Sequence, residues 1–221
     1  MFLNLSKSLQ KLSKMFQDMP QKLSKVFSSP GTIIALVAVI VLIVVLLRTK
    51  KIKFNTRLLA FMAITIALST VLGTISVYKM PQGGSVTLGS MVPILILTFI
   101  YGPEVGFLTG FVYGLINLIT GPYIMHPIQV LLDYPLPFML LGTAGYFKNN
   151  YVGSAVAIFA RFVCHLLSGV VFFASFAGDQ NPLIYSIIYN GSYLLPELII
   201  TVLVVALLPV KRLRAIASPA N

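Results

Sequence analysis

Residues 31–47 read GTIIALVAVIVLIVVLL without one charged side chain, and stretches of this kind recur along the rest of the chain. About 20 apolar residues cross the hydrocarbon core of a bilayer. Within that core no water satisfies the backbone, so an uninterrupted apolar run of this length must close its hydrogen bonds internally as a helix. The chain is 57% hydrophobic and 10% charged, whereas soluble domains carry about 25% charged residues. A solvated charged surface cannot be built from it, and the expectation is an all-α integral membrane protein.

The spans follow from the breaks between them. After the run at 31–47, closed by Arg48, Lys50, Lys51 and Lys53, six further spans are expected near 58–77, 88–101, 104–120, 128–146, 151–173 and 187–209. Turn residues separate them at Met80–Gly84, Gly102–Pro103, Gly121–Pro122, Asn149–Asn150 and Gly178–Pro182. The expected organisation is a basic amphipathic segment over residues 1–30, an accessory anchor helix over 31–50, a six-helix membrane domain over 54–214 and a short tail over 215–221. In the first segment LSK recurs at Leu5–Lys7, Leu12–Lys14 and Leu23–Lys25. These spacings put Leu5, Leu9, Leu12, Met15, Phe16 and Met19 toward one helical side and lysines toward another until Pro20 interrupts, as in helices that lie on anionic lipid, a solvated tail being the other reading. Gly106, Gly110 and Gly114 stand at every fourth position of the third core span, a stripe expected to serve close helix packing.

A formal charge of +11 raises the question of nucleic acid, and its distribution answers it. Residues 1–57 hold ten Lys/Arg against Asp18, a net of +9; residues 58–221 hold six against four acids, a net of +2. The basic residues therefore mark a lipid surface and membrane edges. The positive-inside rule puts Arg48–Arg57, Lys148, Lys211, Arg212 and Arg214 in the cytoplasm, and the connections at 78–87, 121–127 and 174–186 outside. No Walker loop, nucleophile elbow or zinc-helix motif is present, and no cofactor is implied.

Ionisable groups within spans are costly there and are functional candidates by default. Asp133 lies among Leu131, Leu132, Tyr134 and Leu136, and needs either an internal ion pair with Arg161 or a cationic or amino-bearing ligand. Tyr123, Tyr134, Phe172, Phe173 and Tyr185 are candidate aromatic walls for such a ligand. His165, four residues after Arg161, and Asn190 are read either as interhelical links or as ligand contacts. A metal site from His126, Asp133 and His165 lacks diagnostic spacing.

MPQGGSVTLGSMVPI (Met80–Ile94), HPIQVLLDYPLPFMLLGTAG (His126–Gly145), RFVCHLLSGVVFF (Arg161–Phe173) and YSIIYNG (Tyr185–Gly191), in that order, resemble the thiamine-specific S components of energy-coupling-factor transporters. The resemblance covers Phe54 to Arg214. It implies a six-helix bundle in the bacterial cell membrane that binds thiamine near the outer surface, capped by residues 78–88, and that works with a transmembrane coupling subunit and ATP-binding subunits. By position it implies ligand contacts at Tyr123, Asp133, Tyr134, His165, Gly169, Phe173, Tyr185 and Asn190. Some relatives carry tryptophan at the position of Phe173, and this chain has none. Ala63 and Ala67, at i and i+4, match the family's small-residue surface for the coupling subunit; ordinary helix packing is the other reading.

Overall fold

A computed structural model describes residues 30–217. The expected amphipathic segment therefore falls, but for Pro30, outside the described residues, as do 218–221 of the expected tail. Helix α1 (Pro30–Thr49) ends on Arg48, a cation placed favourably against the negative end of the helix dipole. The compact unit that carries everything below begins at Val41, inside α1.

Helix α2 (Thr56–Thr74) starts at Asn55, whose Oδ1 accepts the Leu58 amide at 2.8 Å and so satisfies one of the free N–H groups of the first turn. Beyond it strands β1 (Ser76–Lys79) and β2 (Ser85–Thr87) pair antiparallel, with Ser76 opposite Thr87 and Lys79 opposite Ser85. Helix α3 (Val92–Tyr101) stops at Gly102, where φ is 93°, and Pro103 opens α4 (Pro103–Thr120). Then come α5 (Pro127–Asp133), α6 (Pro135–Met139), a 3₁₀ turn over Leu140–Tyr146, α7 (Asn150–Phe172), a second 3₁₀ turn over Ala174–Ala177, α8 (Pro182–Leu207) and α9 (Val210–Ala217).

Four described helices, α2, α4, α7 and α8, are long and apolar enough to cross a bilayer. Their exposed residues include Leu59, Ile64, Leu68 and Val71 on α2 and Ile188, Leu195, Ile199 and Leu203 on α8. Exposed apolar surface on this scale is what a lipid environment accepts and water does not. This is a membrane protein.

Two expected spans take a different form. The second begins at Val92, not residue 88, because β2 and a left-handed Gly89 (φ 85°) occupy the approach; its ten residues rise about 15 Å at 1.5 Å each, half a bilayer core. The fourth is not one helix. Pro135 and Pro137 bring no N–H to bond the carbonyls four residues back, so the helix breaks at Tyr134 and resumes as α6 and a 3₁₀ turn. The sixth starts earlier than expected, at Pro182, capped by Asn181 Oδ1 on the Leu183 amide at 2.9 Å. The last helix runs through Ala217, into the expected tail.

The core joins Met91, Ile94, Leu95, Phe99, Tyr113, Phe138, Leu141, Ile158, Tyr193 and Leu194. The glycine stripe does what its spacing predicts. A Cβ on Gly106, Gly110 or Gly114 would overlap Thr98, the Phe138 carbonyl or the Tyr134 carbonyl, so α4 presses backbone-close against the broken segment. At one end of the unit Arg57 Nη2 donates to the Ile216 carbonyl at 2.9 Å and Arg214 donates to the Phe99 carbonyl, tying α2, α3 and α9 together.

Candidate functional site

The end of α5, the C-terminal half of α7 and the N-terminal half of α8 enclose a cavity of about 120 Å³, roofed by the β1–β2 hairpin. All eight residues named from the sequence line it: Tyr123, Asp133, Tyr134, His165, Gly169, Phe173, Tyr185 and Asn190. Ala63 and Ala67 stand elsewhere, exposed on α2.

Asp133, the last residue of α5, is held by three donors. Its Oδ2 accepts from Gln129 Nε2 at 2.6 Å and from Ser168 Oγ at 2.9 Å, and its Oδ1 lies 3.1 Å from His165 Nδ1. Gln129 reaches it because i and i+4 share a helix face. Arg161, His165 and Ser168 share a face of α7 for the same reason. The expected direct pair between Asp133 and Arg161 is absent among the described residues, because the imidazole stands between them. Arg161 Nε donates to His165 Nε2 at 3.2 Å. Guanidinium nitrogens only donate, so Nε2 must be the acceptor and the ring proton sits on Nδ1, facing Asp133. The imidazole is thereby neutral with a fixed tautomer. Arg161 is otherwise engaged by Met91 Sδ, 3.0 Å from its Nη1, and by the face of Phe138, 4.3 Å from Cζ to the ring centroid.

The aromatic wall rests on the same network. Gln129 Nε2 also donates to the Tyr123 carbonyl at 3.0 Å, and the Tyr134 hydroxyl accepts the Tyr123 amide at 2.6 Å, which pins the loop ahead of α5. The Tyr123 ring sits 5.7 Å from Phe173 between centroids, and Phe173 lies 5.9 Å from Phe176. Phe172, named with the wall from sequence, points away from it and stacks on His126 at 5.0 Å. His126 itself caps α5, its Nδ1 accepting the Ile128 amide at 3.2 Å. His126 thus stands apart from Asp133 and His165, and no metal-binding group of His, Cys, Asp and Glu exists among the described residues.

Asn190 links helices as well as lining the cavity. Its Nδ2 donates to the Ser186 carbonyl at 2.9 Å and lies 3.3 Å from the His165 carbonyl, while its Oδ1 accepts from the Tyr193 hydroxyl at 3.0 Å. Gly169 lets α7 and α8 meet there, since a Cβ would overlap Ser186.

The roof is seated on α8. Tyr189 Oη accepts the Gln82 amide at 2.9 Å and donates to the Gly83 carbonyl at 3.0 Å, and Glu197 Oε1 accepts the Thr87 amide. Gly84, with φ of +89°, lies so close to the Tyr193 ring that a Cβ would be 2.7 Å from Cε1. Ser168, Tyr189 and Tyr193 line the cavity without having been singled out, and so do Gln129 and Glu197, which stand in the sequence as polar residues within apolar spans but were given no site role. Helical spacing from His165 could have found Ser168, and the i, i+4, i+8 series Tyr185, Tyr189, Tyr193 the other two.

The family model described as thiamine transporter protein (Thia_YuaJ) matches residues 59–217. A thiamine transporter ThiT of Bacillus subtilis is 36% identical over 167 residues, covering 66% of this chain and 86% of the relative. Another, of Lacticaseibacillus paracasei, is 29% identical over 140 residues, covering 53% and 70%. The solved structure of ThiT from Listeria monocytogenes superposes with a TM-score of 0.65 at 23% identity, covering 75% of this chain and 100% of the other, a likeness of fold.

Proposed function

Since the chain belongs to the thiamine transporter family, we propose that it is the substrate-binding subunit of an energy-coupling-factor importer of the bacterial cell membrane, and that the cavity under the hairpin is where it captures thiamine. The observation that carries the reading is the composition of that cavity: aromatic faces from Tyr123, Tyr134, Phe173 and Tyr185 around a fixed Asp133–His165–Arg161 chain. Thiamine is a thiazolium cation joined to an aminopyrimidine. Its cation suits aromatic faces and carboxylates, and its amino group and ring nitrogens suit the donors and acceptors of the polar side. Phe173 offers a smaller face than the tryptophan of some relatives, but it is held between Tyr123 and Phe176.

Capture needs no chemistry at the ligand, and the chain supplies only binding, orientation and exclusion of water. Energy would come from separate ATP-binding subunits through a coupling subunit docked on the Ala63–Ala67 face of α2, where both alanines are exposed. Arg57 and Arg214 at the end tied by α9 fit a cytoplasmic side, which puts the hairpin outside. Calorimetric titration of the purified chain tests the assignment: submicromolar binding of thiamine with no response to riboflavin supports it, and absence of thiamine binding sinks it. The Asp133–His165 contact favours a second reading, proton-coupled transport by this chain alone. Uptake into proteoliposomes lacking any ATPase would establish that reading in place of the first.

A further inference from the structure

Glu197 is buried on α8, with 2% of its surface exposed, and lines the inner part of the cavity. One carboxylate oxygen holds the Thr87 amide at the base of the hairpin. The other, Oε2, is buried with no hydrogen-bond partner among the described residues. Such an oxygen costs free energy unless something compensates it. Asp133 is the contrast, since all three of its polar neighbours donate to it. The one cation lining the cavity, Arg161, is turned toward His165, Met91 and the Phe138 ring, and makes no ion pair with Glu197 among the described residues. The lining thus holds two carboxyl side chains, Asp133 and Glu197, against one guanidinium, and Arg161 forms an ion pair with neither of them among the described residues.

We propose that Glu197 is a specificity-determining residue of this cavity, its unpaired oxygen supplying the negative charge that selects a singly cationic ligand over a neutral one of the same shape. The proposal rests on the assignment of the cavity as the thiamine site. It gives Glu197 two tasks on two oxygens, one reading the ligand's charge and one fastening the roof above it.

The test compares thiamine with 3-deazathiamine, in which a neutral thiophene replaces the thiazolium, on the detergent-solubilised full chain. The wild-type protein should favour thiamine by at least about tenfold. Glu197→Gln keeps an acceptor for the Thr87 amide; it should lose about tenfold or more in thiamine affinity while 3-deazathiamine changes less than about threefold. Glu197→Asp, which keeps the charge, should keep the preference. A wild-type protein that binds both compounds equally overturns the proposal without any variant. So does a Glu197→Gln protein that unfolds at the wild-type temperature and retains the wild-type ratio. Failure of the wild-type protein to bind either compound refutes the thiamine assignment itself, an outcome distinct from both.

Discussion

Replacing Gly84 by alanine should open the cavity without touching the ligand. Gly84 turns the hairpin with φ of +89°, and its Cβ would stand 2.7 Å from Tyr193 Cε1. An L-residue in the left-handed region costs about 1–2 kcal/mol. Tyr193 is 2% exposed and donates to Asn190 Oδ1 at 3.0 Å, so it yields only by giving up a hydrogen bond worth about 1 kcal/mol. The φ strain stays in the turn whether the hairpin is seated or lifted, so only the Tyr193 term, about 1 kcal/mol, acts against the seated hairpin. The equilibrium between seated and lifted roof should then shift by about fivefold. Because such changes act mainly on dissociation, labelled thiamine chased with excess unlabelled compound should leave Gly84→Ala faster by that order, with a much smaller change in the association rate. Gly83→Ala is the control: φ is +93° there too, but the nearest side-chain atom, Tyr123 Cβ, is 3.8 Å away, so strain acts without a clash. Release from Gly84→Ala at the wild-type rate would refute the reasoning that the hairpin is the gate.

Asp133→Asn keeps one acceptor oxygen but turns an NH₂ toward donors among Gln129, Ser168 and His165, and should weaken thiamine binding by more than about tenfold, ~1.4 kcal/mol. Unchanged affinity in a folded variant would reduce Asp133 to internal support. Ala63→Trp or Ala67→Trp should leave thiamine affinity in detergent intact while abolishing assembly with the coupling subunit and ATP-dependent uptake; normal uptake would place the docking face elsewhere on the bundle. Deleting residues 1–30 should leave thiamine affinity intact, and a large loss with normal insertion of the core would tie that segment to recognition.

Spans and cavity residues were legible in the sequence for one reason: in an apolar chain every polar residue at membrane depth stands out. Asp133, His165 and Asn190 were conspicuous on those grounds, Phe173 and Tyr185 were candidate aromatic walls around them, and four motif blocks in order supplied Gly169. The hidden features depend on what a side chain meets. Arg161 sits close enough in sequence to His165 to suggest a link, yet only packing shows that the imidazole intervenes before Asp133. Phe172 and Phe173 are adjacent, and a helix turns about 100° per residue, so one faces the cavity while the other stacks on His126. Hydropathy averages over a window, and so it reads 128–146 as one span although two prolines divide it. The resemblance gave residues 78–88 as a cap but not as a hairpin, since strands of four and three residues are too short for a period-2 pattern to register.

Those two prolines also bear on how the protein enters the membrane. Pro135 and Pro137 deprive the carbonyls of Leu131 and Asp133 of the donors a continuous helix would give them, and in hydrocarbon each unsatisfied group costs several kcal/mol. Every residue from Pro135 to Met139 is buried, behind α4 on one side and α7 on the other. This stretch is therefore a poor solitary passenger in lipid. It becomes stable at depth only when helices on both flanks are present, one made before it and one after. A chain truncated after Tyr146, which has α4 but lacks α7, should therefore hold α4 in the membrane but not the segment that carries Asp133.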